Sequence, residues 1–463
     1  MHSQRLPRLL PILLLCFILS ACGKGQPGPG GKTAVYTGPP CMDVLTLPQD
    51  LGAYAAGAGG SRALAPRSAL EAAAGRQHAL FFKPWTLTKP TRWVRQSLDH
   101  NFNMKPDRAY GENRQPFPLD VWQGLAVNSN KKAYGKGARP AITLRHTDLR
   151  AMPASMRFYL RPDLPGEGYP FDYFQHTSLQ PGAPVYICNT SKDGLWLLVE
   201  TPVTAGWVPA RDVAGVSRDF MTRWQSRPLA ALIRDKVDLR GVTGHVGTLL
   251  PLVNGANGAS GANAAGPGMD QSLSVYVPRR GASGQAEASV LQLPAGAAAV
   301  VPLALTPDNV ARVGNGMMGQ PCGWGGLDEK RDCSALTRDL LAPFGFFLPR
   351  NSARQARVGR PLELAGLEAQ EKERAIIREA APFRSLIHMP GHIGLYLGTY
   401  QGKAVMFHNM WGLRTRDASG GCDGRAIVGK AVVTTLRPGV ERPDLCYPNS
   451  FLDRIERAAI LPE

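Results

Sequence analysis

Nowhere in these 463 residues is there a Cys-x-x-Cys pair or a zinc-ligand spacing. No structural metal or dithiol redox site is therefore expected. Cysteine is sparse altogether. Beyond Cys16 and Cys22 there remain Cys41, Cys188, Cys322, Cys333, Cys422 and Cys446, too few for a disulfide scaffold at this length. Whether Cys422 pairs with Cys446 is left open by the sequence. Also missing is an apolar run long enough to span a bilayer: the run at residues 9–20, LLPILLLCFILS, is too short. Acid is scarce relative to base, with 36 Asp and Glu against 53 Lys and Arg, a formal charge of +17. A basic surface attracts polyanions over long range. The interleaved aromatic and basic clusters of a nucleic-acid reader are absent, so no nucleic-acid partner is expected. Anionic cell-wall polymer or lipid head groups suit the charge better.

What is present begins with the N-terminus. Arg5 and Arg8 precede the apolar run, which ends in Leu19-Ser20-Ala21-Cys22 followed by Gly23. The order resembles a bacterial lipoprotein cleavage box, with an ordinary secretory signal as the alternative. The resemblance implies a signal peptide over 1–21, lipidation of Cys22, and a membrane anchor through that lipid. Gly23 in place of Asp implies sorting to the outer membrane of a Gram-negative cell, with the body in the periplasm.

Gly (51) and Pro (39) are plentiful, which favours turns and short strands over a helical bundle. Residues 22–79 read as a tether and low-complexity linker, with the Ala/Gly-rich stretch 52–75 loosely ordered. An N-terminal folded segment is expected over 80–150. Residues 151–220 carry short β-branched and aromatic runs broken by turn residues, with Trp196 and Trp207 expected to fill a small core. SKDGLW and GWVPARDV in this stretch resemble the distal hairpin and closing strand of a bacterial SH3-like barrel. Residues 221–305 repeat the strand character and read as a second such barrel. It is interrupted at 254–268 by NGANGASGANAAGPG, an insert too poor in apolar residues to pack. Residues 306–463 mix helix and strand patterns.

The chemistry lies in that last segment. After Cys333 the apolar residues Leu336, Leu340, Leu341 and Phe344 share one helical face, and Gly345 is a plausible stop. Cys333 then occupies the first turn, where the helix dipole is expected to lower the thiol pKa. A cysteine nucleophile needs a base. In GHIGLYLGTYQGKAVMFHNMW two strand-like runs flank TYQG. A three-residue loop at 399–401 sets Gly398 opposite Gly402 and His392 directly opposite His408 on one face. The expected roles are nucleophile for Cys333, base for His392 and orienting group for His408. Ordinary strand histidines are the competing reading.

GQPCGWGG, DCSALTRDLLAPFGFFLPRNSARQ, PGHIGLYLG and VMFHNMWG occur in that order. They resemble the motifs of the NlpC-type cell-wall cysteine peptidases over residues 315 to about 415. The resemblance implies an α+β chain: a papain-like cysteine peptidase domain preceded by one or two small SH3-like β-barrels and a mixed N-terminal segment. It implies cleavage of the γ-D-glutamyl–diaminopimelate bond in peptidoglycan stem peptides, with no cofactor or metal. Asp332 and Ser334 would line a pocket for the free amine of a terminal L-alanine, beside Trp324; a helix N-cap is the competing role for Asp332, and both could hold at once. Two departures stand out. The family's tyrosine is replaced by Cys322, which lets an oxidised pair with Cys333 be imagined, and Ala335 replaces a glycine. A wall-binding protein without activity, or an amidase or acyltransferase on the same fold, are the alternatives.

Overall fold

The computed structural model describes residues 40–102, 108–162, 164, 167–253, 269–417, 419–446 and 451–462. The signal segment, Cys22 and the 254–268 insert lie outside the described residues. Among the described residues no helix is long and apolar enough to cross a membrane.

The stretch expected to be a loose linker is helical and buried. Helices Met42–Thr46, Gly52–Ala55 and Arg67–Phe81 run through it. Leu51, Tyr54 and Leu70 enter the same core as Val310, Phe344, Ile393 and Phe407. The physical reason is that alanine is the best helix former. A helix with few large apolar residues packs closely when the partner surface supplies the bulk. An Arg67–Glu71 pair one turn apart, at 2.9 Å, adds a little on the outer face.

A seven-stranded antiparallel sheet follows. Its spatial order is Gln175–Leu179, Thr147–Arg150, Ala205–Pro209, Trp196–Glu200, Pro184–Thr190, Arg139–Thr143, Val213–Gly215. It therefore begins at Arg139, ahead of the expected boundary at 151. Leu149, Val185, Val199 and Val208 fill the inside. Trp207 is fully buried, but against Val94 and Leu98 of helix Arg92–Phe102, with Trp196 packed alongside. The two tryptophans thus seal the outer face and do not fill the barrel. Alternation along a strand sends Trp207 and Val208 to opposite sides.

The second small β unit has a three-stranded sheet, Leu249–Pro251, Leu229–Leu232 and Ala298–Val300. Beside it is the hairpin Leu273–Arg280 with Ala286–Leu293. Its neighbour is the C-terminal domain, and one buried charge knot joins them. Arg331 donates to Asp235 at 2.7 and 2.8 Å and to Asp339 at 2.8 Å.

The C-terminal domain sets helices Pro307–Asn315 and Cys333–Leu341 against a six-stranded antiparallel sheet. Strand order is Arg360–Glu363, Arg457–Ile460, Ser385–Met389, His392–Tyr400, Lys403–Thr415, Gly424–Thr435. Leu336, Leu340, Leu341 and Phe344 are all fully buried on the face the periodicity marks. Cys422 and Cys446 form a disulfide, Cα atoms 5.8 Å apart.

Candidate active site

Helix Cys333–Leu341 starts where it does because Asp332 caps it. The carboxylate accepts from the Ala335 N–H at 2.9 Å. Arg350 grips the same carboxylate with two N–H groups, at 2.9 and 2.6 Å. Ser334 Oγ and the Gly325 N–H donate to it as well, at 3.1 and 3.0 Å. Burial alone would raise the Asp332 pKa; Arg350 and these donors override it and hold the carboxyl below its usual range. Gln355 latches the helix from behind. It donates to Ser334 O at 2.8 Å and Pro349 O at 2.7 Å, and accepts from Thr337 Oγ1 at 2.7 Å.

Cys333 sits in the first turn, partly open to a cleft of about 830 Å³. Its sulfur faces the backbone N–H of Ile393, the residue after His392. The expected drop in thiol pKa does not occur in the free protein. Burial first, and the Asp332 charge second, push it up to about 12 against the N–H groups of Ile393 and Ser334. Those two penalties outweigh the helix terminus.

The two histidines meet, though by a different register from the one the sequence suggests. The turn is the two-residue Gln401-Gly402, with φ of 49° and 77°. Tyr400 pairs with Lys403, and a bulge between Tyr396 and Gly398 shifts the ladder to Leu395↔Phe407. His408 is then a diagonal neighbour of His392, within reach of a ring. His392 Nε2 lies 2.7 Å from His408 Nδ1.

The proton positions follow from the far end of this chain. Thr434 Oγ1 lies 2.8 Å from the Thr435 carbonyl, which only accepts, so the hydroxyl donates there. Its 3.0 Å contact with His408 Nε2 therefore takes a proton from the ring. Burial, then His392, holds His408 neutral, well below its ordinary pKa. Its Nδ1 is a bare acceptor, so His392 carries its proton on Nε2. His392 Nδ1 is left bare. Burial first, then Arg454 and His388, lower the His392 pKa to about 4, so the ring is neutral at pH 7.

Trp324, Asp332 and Ser334 line the cleft together with Cys333. Trp324 stays 38% exposed and lies edge-on to Phe171, ring centres 5.2 Å apart. The far wall was not legible in the sequence: Trp93 from the N-terminal helices, and Tyr173, Gln175 and Glu200 from the first barrel. Two glycines let that wall close in. Gly325 and Gly326 have φ of 62° and 82°. A Cβ on Gly326 would stand 2.4 Å from Ser178 Oγ, and one on Gly325 2.6 Å from Gln175 Cγ. Arg350 Nε also reaches Thr177 Oγ1 at 2.8 Å. Cys322 and Cys333 are both free thiols. Gln355 closes the Leu-Pro-Arg and Gln motif seen in the sequence, which gave it no role; Thr434 has no spacing signal that marks one.

A thiol on a helix start, facing an antiparallel sheet that carries two hydrogen-bonded imidazoles, is the arrangement of the papain-like cysteine peptidases. Comparison with known families narrows this: residues 319–423 match the NlpC/P60 family. Ahead of it, residues 157–209 match an SH3 domain of SH3b1 type and 217–254 one of SH3b2 type. Residues 11–134 match an N-terminal NLPC_P60 stabilising domain. A probable endopeptidase of Corynebacterium glutamicum (strain R) is 33% identical over 104 residues, 22% of this chain and 48% of the relative. The chain thus spans about half the length of that relative. The solved structure of an NlpC/P60 endopeptidase from Photobacterium damselae subsp. piscicida superimposes with a TM-score of 0.76. It is 23% identical, over 89% of this chain and 96% of that one, which speaks to the fold alone. The fold is thus α+β: SH3b-type β units followed by a papain-like domain.

Proposed function

We propose that the chain is a peptidoglycan hydrolase, a cysteine endopeptidase that cuts the γ-D-glutamyl–diaminopimelate bond of stem peptides. One observation carries the reading: a chain of hydrogen bonds from Thr435 through Thr434 and His408 leaves bare the Nδ1 of His392, the neighbour in the chain of Ile393, whose N–H faces the Cys333 sulfur. At rest both partners are neutral. On attack, the thiol proton passes to His392 Nδ1 as sulfur bonds to the scissile carbonyl carbon. The N–H of Cys333, in the first helical turn and without an intrahelical acceptor, is available to the developing oxyanion. Collapse breaks the C–N bond, His392 returns the proton to the leaving amine, and a thioester remains. Water then attacks the thioester, and the thiol is restored.

The cleft walls support short peptides with a free amino end, since the first barrel stands over one end of the cleft. Asp332 and Ser334 line that cleft, and Glu200 adds a second carboxylate to its wall. Asp332 already answers Arg350, so Glu200 shares the task of receiving an L-alanine ammonium. We further propose that Cys22 carries a lipid anchoring the protein to the outer membrane, facing the periplasm. Metabolic labelling with a radiolabelled fatty acid checks this; labelling that persists in Cys22→Ser would refute it.

Cys322, standing where the family's tyrosine stands, favours one rival: a wall-binding protein without turnover. Comparing the native chain with Cys333→Ala on purified muropeptides decides. Release of a peptide beginning with diaminopimelate by the native chain only supports hydrolysis. Equal turnover, or none by either, ends it.

A further inference from the structure

Four parts of the chain meet behind the wall of the cleft, and they leave a recess of about 110 Å³ between them. Helix Arg67–Phe81 supplies Gln77 and Phe81, and the first barrel supplies Leu179 and Ala183. Leu249 comes from the second β unit, and Phe346 from the chain that follows the Cys333 helix. The joint around the recess is otherwise tight. Gly247 turns at φ 86° against that helix, where a Cβ would stand 2.9 Å from Asp339 Cα. Gly182 turns at φ 81°, and a Cβ there would meet Leu250 Cδ2 at 3.1 Å. Thr201, Pro202 and Val203 line both the recess and the cleft.

Carbon dominates the lining, and the polar groups in it are engaged with one exception. Arg338 holds Asp339 at 2.9 Å, and Asp339 also accepts from Arg331 at 2.8 Å. Gln180 Oε1 accepts from Thr248 Oγ1 at 3.1 Å. The exception is Gln77, which is 1% exposed. Its Nε2 donates to Ala342 O at 2.9 Å and to Phe346 O at 3.2 Å. Carbonyls only accept, so these two contacts fix which end of the amide is nitrogen. The other end, Gln77 Oε1, is buried and has no hydrogen-bond partner among the described residues.

A buried amide oxygen without a donor is costly. A captured water needs about two to four polar partners, and a recess walled mostly by carbon suits it poorly. An apolar body with a single donor meets both demands, since it covers the carbon and answers the oxygen. The size is of the same order as the roughly 150 Å³ of an apolar cavity that admits benzene. We propose that the recess is a binding site for a small phenol-like molecule, a flat apolar ring with one hydroxyl that donates to Gln77 Oε1. Bound there, the ring stands behind residues 201–203 and joins the first barrel to the C-terminal domain at the back of the cleft.

Calorimetric titration of the full chain with phenol, and with toluene as a ring of equal size without a donor, tests the site without recourse to turnover. One phenol per chain is expected, bound at least about threefold more tightly than toluene, the worth of one buried hydrogen bond. Tm should rise with phenol concentration by mass action. Ala183→Leu grows a side chain into the recess and should abolish phenol binding, with Tm in the absence of ligand unchanged or higher. Leu249→Phe fills the recess from the second β unit and is expected to do the same, so the test survives the loss of either variant to misfolding. Phenol that does not bind saturably, toluene that binds as tightly, or phenol binding that persists in a folded, filled variant overturns the site.

Discussion

In the proposed mechanism Thr434 acts on the thiol from two residues away, by deciding which nitrogen of each ring holds a proton. Thr434→Val keeps the shape and removes the acceptor for His408 Nε2–H. His408 can then flip tautomer and turn its N–H toward His392. The expected result is a fall in kcat of about tenfold, the worth of one hydrogen bond, with KM little changed. Thr434→Ser should restore the rate; a mere packing role would not predict that rescue. The pH dependence is set by the same rings. His392 works as base only when unprotonated, and its pKa stands near 4 and not at 6.5. The acid limb of kcat/KM should therefore fall near pH 4, below the ordinary imidazole limb. Stability follows the same sign. A depressed folded pKa means the unfolded chain holds the proton more readily, so His392 weakens the fold as pH drops from 6.5 toward about 4. A pH–rate profile and urea melts across that window check both. The place of Cys333 in a first helical turn, the two histidines on facing strands and the cap at Asp332 were visible in the sequence because each sits in a local pattern. Thr434 was not, because its part depends on a strand pairing fixed only by the whole sheet.

Among the elements, the Cys333 helix was the most legible, since four apolar residues at helical spacing and a capping acid all agree. The hairpin was half legible. Both histidines share a face, but the turn is one residue shorter than supposed and a bulge absorbs the difference, something alternation alone does not encode. The helix Arg67–Phe81 was misread because its alanines look like linker until a partner surface is known. Gln355 shows what holds an element to its task. Replacing it with leucine takes the Gln355 amide from the Ser334 and Pro349 carbonyls and leaves the Thr337 hydroxyl only its longer contacts with the Cys333 and Ser334 carbonyls, at 3.3 and 3.2 Å. The expected loss is about 2–4 kcal/mol by urea denaturation. A kcat reduced more than KM is raised should accompany it, because the first turn that carries the thiol loosens.

In the whole molecule, the described domains behave as pieces of one cleft. The second β unit is riveted to the C-terminal domain through Arg331, which is 3% exposed and answers both Asp235 and Asp339. Asp235→Ala takes from the buried Arg331 guanidinium one of its two carboxylates and leaves it Asp339 and Gln320, and a loss of about 2–4 kcal/mol is expected in thermal or urea melts. Little of this was readable, because ion pairs across 96 residues of sequence leave no periodic trace. The first barrel meets the Trp324 turn through glycines that admit no side chain. Thiol and imidazoles thus come from one domain, while much of the opposing rim comes from another. Selection, or an engineer, can therefore reshape what enters by varying loops of the barrel and leave the reactive groups untouched. A change at the paired glycines would instead pry the two apart and alter everything together.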